Sequence, residues 1–287
     1  MIPRLGEIPL QRITARLLVD LYEDLLKTGS RTRGPLSAKS VRNIHGMIHQ
    51  ALGDAVRWGR LARSPADQAT PPRRRPVEMK TWRAEELGTF LGHVREDRLS
   101  AAWLLLATTG MRRGELLGLR WEDVDLEAGR AAIRRTWIVV DGHAEASTPK
   151  TAKGRRTVPL AAETVAALKA HRVSQLEERV ALGPGYQDSG LVFCREDGAP
   201  LHPDSLSQAF ERRTAAAGLP RIRLHDVRHS YATVALRAGI PAKVVSEILG
   251  HANIGITLDT YSHVIPTMAE EAAATVAALI LPSAASE

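Results

Sequence analysis

The sequence contains a single cysteine, Cys194, in 287 residues. One thiol cannot close a disulfide within the chain or build a thiolate metal cluster, so a disulfide scaffold and a cysteine-rich zinc fold are excluded and a reducing cytoplasm is the expected location. Nowhere does the chain approach 18 consecutive apolar residues, and its first residues, MIPRLGEIPLQR, lack the apolar run of a secretory signal. Membrane insertion and secretion are not expected. Internal repeats and low-complexity tracts are also missing. What remains is an ordinary globular composition, 44% apolar and 25% charged, at a length that suits two modest domains or one large one.

The formal net charge is +7 and the isoelectric point about 9.9. That charge is unevenly spread. Up to Lys80 there are 15 Lys and Arg against 7 Asp and Glu, whereas the remainder is close to neutral. A small basic segment joined to a larger neutral one suggests an electrostatic footprint for a polyanion, most economically nucleic acid.

TPPRRRP, Thr70 to Pro76, interrupts any helical pattern with three prolines and three arginines and reads as a basic linker over 71–80. Before it, apolar residues three and four apart predict helices over Thr14 to Thr28 and Ser37 to Trp58, the second capped by Ser37. So few helices are not expected to close a core alone. Beyond the linker, helices are expected at Thr81 to Arg95, Leu99 to Thr109, Ala162 to Ala181, Pro203 to Ala217, Ser230 to Ala238, Ala242 to Leu249 and Met268 to Leu281. Between Ala131 and Leu160 the pattern turns β-like: AAIRRTWIVV, the hairpin dipeptide Asp141-Gly142, then RRTVPL. The expected fold class is mainly α with a small antiparallel sheet.

Five segments carry polar residues that a purely structural pattern does not need: TTGMRRGEL (108–116), TPKTAKGRR (148–156), LHDVRHSYAT (224–233), LGH (249–251) and TLDTYSHV (257–264). In this order, with ten residues from His251 to Tyr261, they resemble the tyrosine recombinases, the phage-type integrases. The resemblance covers nearly the whole chain. It implies a DNA strand transesterification through a 3′-phosphotyrosine, with no metal or nucleotide cofactor. Tyr261 is then the nucleophile, Arg112 and Arg228 bind the phosphate, and His251 donates a hydrogen bond to it. His225 is a candidate base and Lys150 a candidate acid, preferred to Lys153 because Lys-Thr matches the family pattern; Glu115 supports the site. The chemistry agrees with these residue types: a guanidinium fork matches two phosphate oxygens and stays charged, and a phenol of pKa near 10 needs cations and a base to react at neutral pH.

The resemblance further implies that residues 1–70 form part of a helical core-binding domain and 81–287 the catalytic domain, with Lys39, Arg42, Arg73, Arg74 and Arg75 on double-stranded DNA. An earlier core-binding helix is usual in the family, and the start at MIPRLGEIPLQRIT is expected to be truncated. The helix at 268–281 resembles the tail that such proteins exchange in a DNA-bound homotetramer, the free protein being a monomer; DNA-bending accessory proteins are possible partners and the bacterial nucleoid the setting. Three other readings compete: a non-catalytic DNA-binding protein or inactive prophage remnant, a type IB topoisomerase, and a zinc site from His225, His229 and His251 or His263. The last suffers from Arg228, which would set a cation beside the metal.

Overall fold

The computed structural model describes the chain apart from residues 1, 30–33, 74–78, 141, 148–154, 262–275, 278–279 and 281–287. Lys150, Lys153, Arg74, Arg75, His263 and nearly all of the expected helix at 268–281 lie outside the described residues. The chain divides into two compact units, Met1–Glu78 and Met79–Glu287.

The first unit holds α1 (Ile2–Leu5), α2 (Ala15–Lys27) and α3 (Ala38–Arg57). Thr14 and Ser37 cap the two long helices, their hydroxyls accepting from the backbone N–H of Leu17 and Ser40, each at 3.2 Å. The apolar stripes face each other: Leu18, Leu21, Tyr22 and Leu25 are buried against Val41, Ile48 and Leu52. The expectation that these helices could not enclose a core is therefore corrected. The 3-10 turn Pro65–Asp67 folds back beneath them and buries Ala66, which closes the cluster.

The second unit holds α4 (Ala84–His93), α5 (Ser100–Thr109), α6 (Arg113–Leu117), α7 (Ala162–Leu182), α8 (Pro203–Ala216), α9 (Leu224–Arg237), α10 (Ala242–Leu249) and α11 (Ile254–Thr260). Its strands are β1 (Val124–Asp125), β2 (Arg130–Ile133), β3 (Thr136–Val140), β4 (His143–Ser147) and β5 (Arg156–Pro159). The β-like run 131–140 is not one strand: it breaks at Arg134 and Arg135, so β1, β2 and β5 form one antiparallel sheet and β3 and β4 another. Asp123 takes both arginines, at 3.4 and 2.6 Å, and that pairing turns the backbone between the two sheets. The β3–β4 hairpin forms where expected, pairing Val140 with His143.

Helix α9 begins at Leu224, six residues before the expected start. The Asp226 carboxylate accepts from the Arg223 backbone N–H at 2.8 Å and caps the first turn. Helix α4 likewise begins at Ala84 rather than Thr81, its end closed by Glu86 on the Arg83 N–H at 2.7 Å. Two short helices, α6 and α11, have no counterpart among the expected elements.

The core of this unit is a cluster of rings. Phe210 lies 5.2 Å from Phe90, 5.5 Å from Trp82 and 6.1 Å from Trp103, centroid to centroid. Helix α5, apolar all round, runs through the interior against α7 and α9. It ends at Gly110, whose φ of +62° reverses the chain into Met111 and Arg112. A Cβ there would come within 2.7 Å of both Leu249 Cδ2 and Tyr231 Cδ1. Gly110→Ala combines a left-handed backbone with a steric overlap, and should cost about 1–3 kcal/mol in urea unfolding; an unchanged midpoint would contradict this account of the turn.

Candidate functional site

The chain reversal at Gly110 delivers Arg112 to the first position before α6. There Glu115 closes the helix end: its carboxylate accepts the Arg112 backbone N–H at 2.9 Å and the Arg112 Nη1 at 2.8 Å. The same carboxylate receives both terminal nitrogens of Arg156, at 3.0 and 2.9 Å. Arg156 Nε donates in turn to the Ile248 carbonyl at the end of α10. Glu115 is buried, and burial alone would raise its pKa; the Arg156 fork and the Arg112 contacts reverse that and hold it at about 2. Arg112 differs from Arg156 in access, with 41% of its side chain exposed against 7%. Arg156 is therefore a strut, while Arg112 keeps donors facing solvent.

Arg228 enters from α9 and is buried, donating to the Gly110 carbonyl at 2.8 Å and the Leu249 carbonyl at 2.6 Å. Two of its five donors tie together the ends of α5 and α10. Desolvation first, then the nearby Arg112 and Arg156, lower its pKa to about 9 against the help of Glu115. It remains a cation at neutral pH.

Tyr261 follows α11 and is fully buried with Ala232, Ala235, Leu236, Val245 and Leu249. Its hydroxyl stands 2.8 Å from His229 Nδ1. Burial pushes the phenol up to about 12, with Arg228 opposing. His225 is one turn before His229 and its ring is edge-on to it, 5.1 Å between centroids. His225 is exposed, yet the protein around it and then the nearby His229 and Arg228 push its pKa below the ordinary imidazole value. His251 follows Gly250, whose φ of +64° turns the chain out of α10. Its Nδ1 lies 2.8 Å from Thr257 Oγ1, and burial, Arg228 and Arg112 lower its pKa to about 4. If Thr257 donates to Nδ1, the proton of the neutral ring sits on Nε2, which is left as a donor.

Arg112, Glu115, Arg228, His251 and Tyr261 thus come from separate stretches of sequence into one cluster. An open groove of about 600 Å³ passes Arg155, Arg156, Lys243 and His251 at its edge. Lys39 and Arg42 lie exposed on α3, and Arg73 is exposed beyond it, all in the first unit. Among the described residues no three His, Cys, Asp or Glu converge as metal ligands.

Two residues of the cluster escaped the sequence reading. Arg156 alternates with Arg155 and Thr157 so as to share the inward face of β5 with Val158, and a cation on an apolar strand face signals a buried partner. His229 was visible as the i, i+4 mate of His225, but its contact with Tyr261 spans 32 residues and no local spacing encodes it.

Glu115 has a folded pKa of about 2 against an ordinary 4.5. A depressed carboxylate contributes stability that is present above its unfolded pKa and lost as pH falls through the folded one. Glu115→Gln should therefore cost about 3 kcal/mol in urea unfolding at pH 7, and the difference from wild type should shrink between pH 4.5 and 2. A penalty constant across that range would contradict the ion-pair account.

The model of the phage integrase family matches residues 81–268. A tyrosine recombinase XerC-like protein of Caldanaerobacter subterraneus subsp. tengcongensis is 35% identical over 248 residues, covering 80% of this chain and 63% of that protein. The chain thus spans less than two thirds of that relative's length. The ICEBs1 integrase of Bacillus subtilis is 30% identical over 269 residues, 92% of this chain and 70% of that protein. Among solved structures, the Tn1549 transposon integrase in complex with a circular intermediate DNA shares the fold with a TM-score of 0.75 at 22% identity, over 90% of this chain and 84% of that one. A lambda integrase tetramer bound to a Holliday junction aligns with a TM-score of 0.61 at 19% identity, over 88% and 68%. With the family model covering well over half of its residues, the chain belongs to the phage integrase family of tyrosine recombinases.

Proposed function

We propose that this protein is a site-specific DNA recombinase that cuts and rejoins strands through a covalent bond between Tyr261 and a 3′ phosphate. The observation that carries the reading is the convergence of two arginines, a histidine and a tyrosine from four separate stretches of sequence. Cleavage of a phosphodiester develops negative charge on the nonbridging oxygens, and Arg112 and Arg228 supply fixed cations for it. His251 adds a neutral donor. The 5′ oxygen leaves with a proton, for which Lys150 is the proposed source. Because the phosphotyrosine keeps the energy of the broken bond, the reverse attack by a 5′ hydroxyl needs no nucleotide.

Double-stranded DNA is the proposed substrate, met by Lys39, Arg42 and the arginines 73–75 from the N-terminal side. The solved integrases bound to a circular intermediate DNA and to a Holliday junction support this reading. A homotetramer on DNA, joined through the segment 268–281, is the proposed working assembly, with the free chain a monomer. The cytoplasm, at the nucleoid, and assistance by DNA-bending proteins complete the proposal.

The test is a nicked duplex spanning the candidate attachment site, from which the cleaved 5′ fragment escapes, incubated with protein in EDTA and run on a denaturing gel. Wild type should give a protein-DNA adduct that Tyr261→Phe abolishes, and Arg112→Ala should slow its formation by about 10²-fold or more. Binding without an adduct would overturn the catalytic reading in favour of a DNA-binding protein.

A further inference from the structure

Two histidines stand one turn apart on α9, and one of them reaches the phenol. His229 Nδ1 is 2.8 Å from Tyr261 Oη, whereas His225, exposed beside it, makes no hydrogen bond to Tyr261 among the described residues. His251, the third histidine of the cluster, engages Thr257. The Tyr261 side chain is sealed from solvent, so water cannot receive its proton where it stands. Burial lowers the basicity of His229, with Asp226 opposing and Arg228 and Arg223 reinforcing, and the ring is neutral at physiological pH. A neutral ring facing a phenol accepts the O–H at Nδ1 and carries its own proton on Nε2.

We propose that His229, rather than His225, is the proton acceptor for Tyr261 in strand cleavage. The inference rests on the recombinase reading above. As the Tyr261 oxygen bonds to phosphorus, its proton passes to His229 Nδ1, giving an imidazolium. The bond from phosphorus to the 5′ oxygen breaks, the electron pair stays on that oxygen, and a separate donor protonates it. In religation the 5′ hydroxyl attacks phosphorus and returns its proton to that separate donor, the bond from phosphorus to the Tyr261 oxygen breaks, and this oxygen recovers its proton from His229. The charged and titratable groups around His229 are Arg223, His225, Asp226 and Arg228 on its own helix, Tyr261 after α11, and His251 after α10. Asp226 favours the imidazolium and the arginines oppose it, so an entering phosphate anion would help His229 accept the proton.

The experiment is single-turnover adduct formation on two nicked duplexes, one with the ordinary scissile phosphate and one with a bridging 5′ sulfur, a leaving group that needs no proton. Wild type, His229→Asn, His229→Ala and His225→Asn are compared across pH. Asparagine offers an acceptor oxygen near the Nδ1 position but cannot take up a proton. The expected result is a loss of about 10²–10⁴-fold in both His229 variants on both substrates. The fall in rate towards acid pH should disappear in His229→Asn and persist in His225→Asn. The inference is overturned if His229→Asn keeps the wild-type rate and profile, if the sulfur substrate restores it, or if the acid limb vanishes in His225→Asn instead. That last comparison does not depend on how well a His229 variant folds. Wild type that forms no adduct on either duplex would overturn the recombinase reading and this inference with it, whereas a wild-type adduct with an indifferent His229 would overturn the inference alone.

Discussion

A carboxylate withdrawn from water persists as an anion only where cations and N–H donors meet it, and Glu115 is met on every side. Arg156 forks onto both its oxygens, Arg112 contributes a backbone and a side-chain donor, and the Arg156 Nε continues to the Ile248 carbonyl. Three segments distant in sequence, the turn after α5, strand β5 and the end of α10, are thereby fixed to one another. The arrangement also resolves an electrostatic difficulty. Arg112, Arg156 and Arg228 lie close enough to depress the basicity of Arg228, and a cluster of like charges without an anion would push itself apart. Removing one partner from such a buried set strands the others, typically at about 3–5 kcal/mol. A cluster of cations must be held together before any anion arrives, and Glu115 is the anion that allows it.

Tyr261, the proposed nucleophile, is held in the opposite condition. Tyr261 is buried among aliphatic side chains, its hydroxyl satisfied by His229 and its ionisation disfavoured. An unionised, sheltered phenol is a poor nucleophile, which on the proposed function would guard against indiscriminate reaction. On the proposed function, an arriving phosphate changes that balance in two ways. Burial is the main cause that lowers the pKa of His251 and His229; the phosphate would offset the arginine charges that add to it, making both histidines better proton carriers. It also supplies the electrophile beside Arg112, the most accessible cation of the buried network.

Much of this was legible in the sequence where the physics is local. Helices α2 and α3 follow from apolar residues three and four apart, and Asp141-Gly142 marks the β3–β4 hairpin because that dipeptide suits a tight turn. Helices α6 and α11 were not legible, being only five and seven residues long, too short for a period to repeat. The break at Arg134 and Arg135 depends on Asp123, eleven and twelve residues earlier, and β propensity alone runs through it. Arg112, Glu115, Arg228, His251 and Tyr261 could be singled out because their motifs resemble those of the tyrosine recombinases. Their connections could not, because Arg156 with Glu115 and His229 with Tyr261 are bonds across 41 and 32 positions that only the folded chain brings together.

The most direct test of the central claim is the chemical identity of the link between protein and DNA. The trapped adduct would be digested with protease and nuclease and the modified peptide sequenced by mass spectrometry. The account predicts one modified peptide, carrying a nucleotide 3′-phosphate on the Tyr261 oxygen. A nucleotide on any other residue, or one attached through its 5′ end, would contradict it.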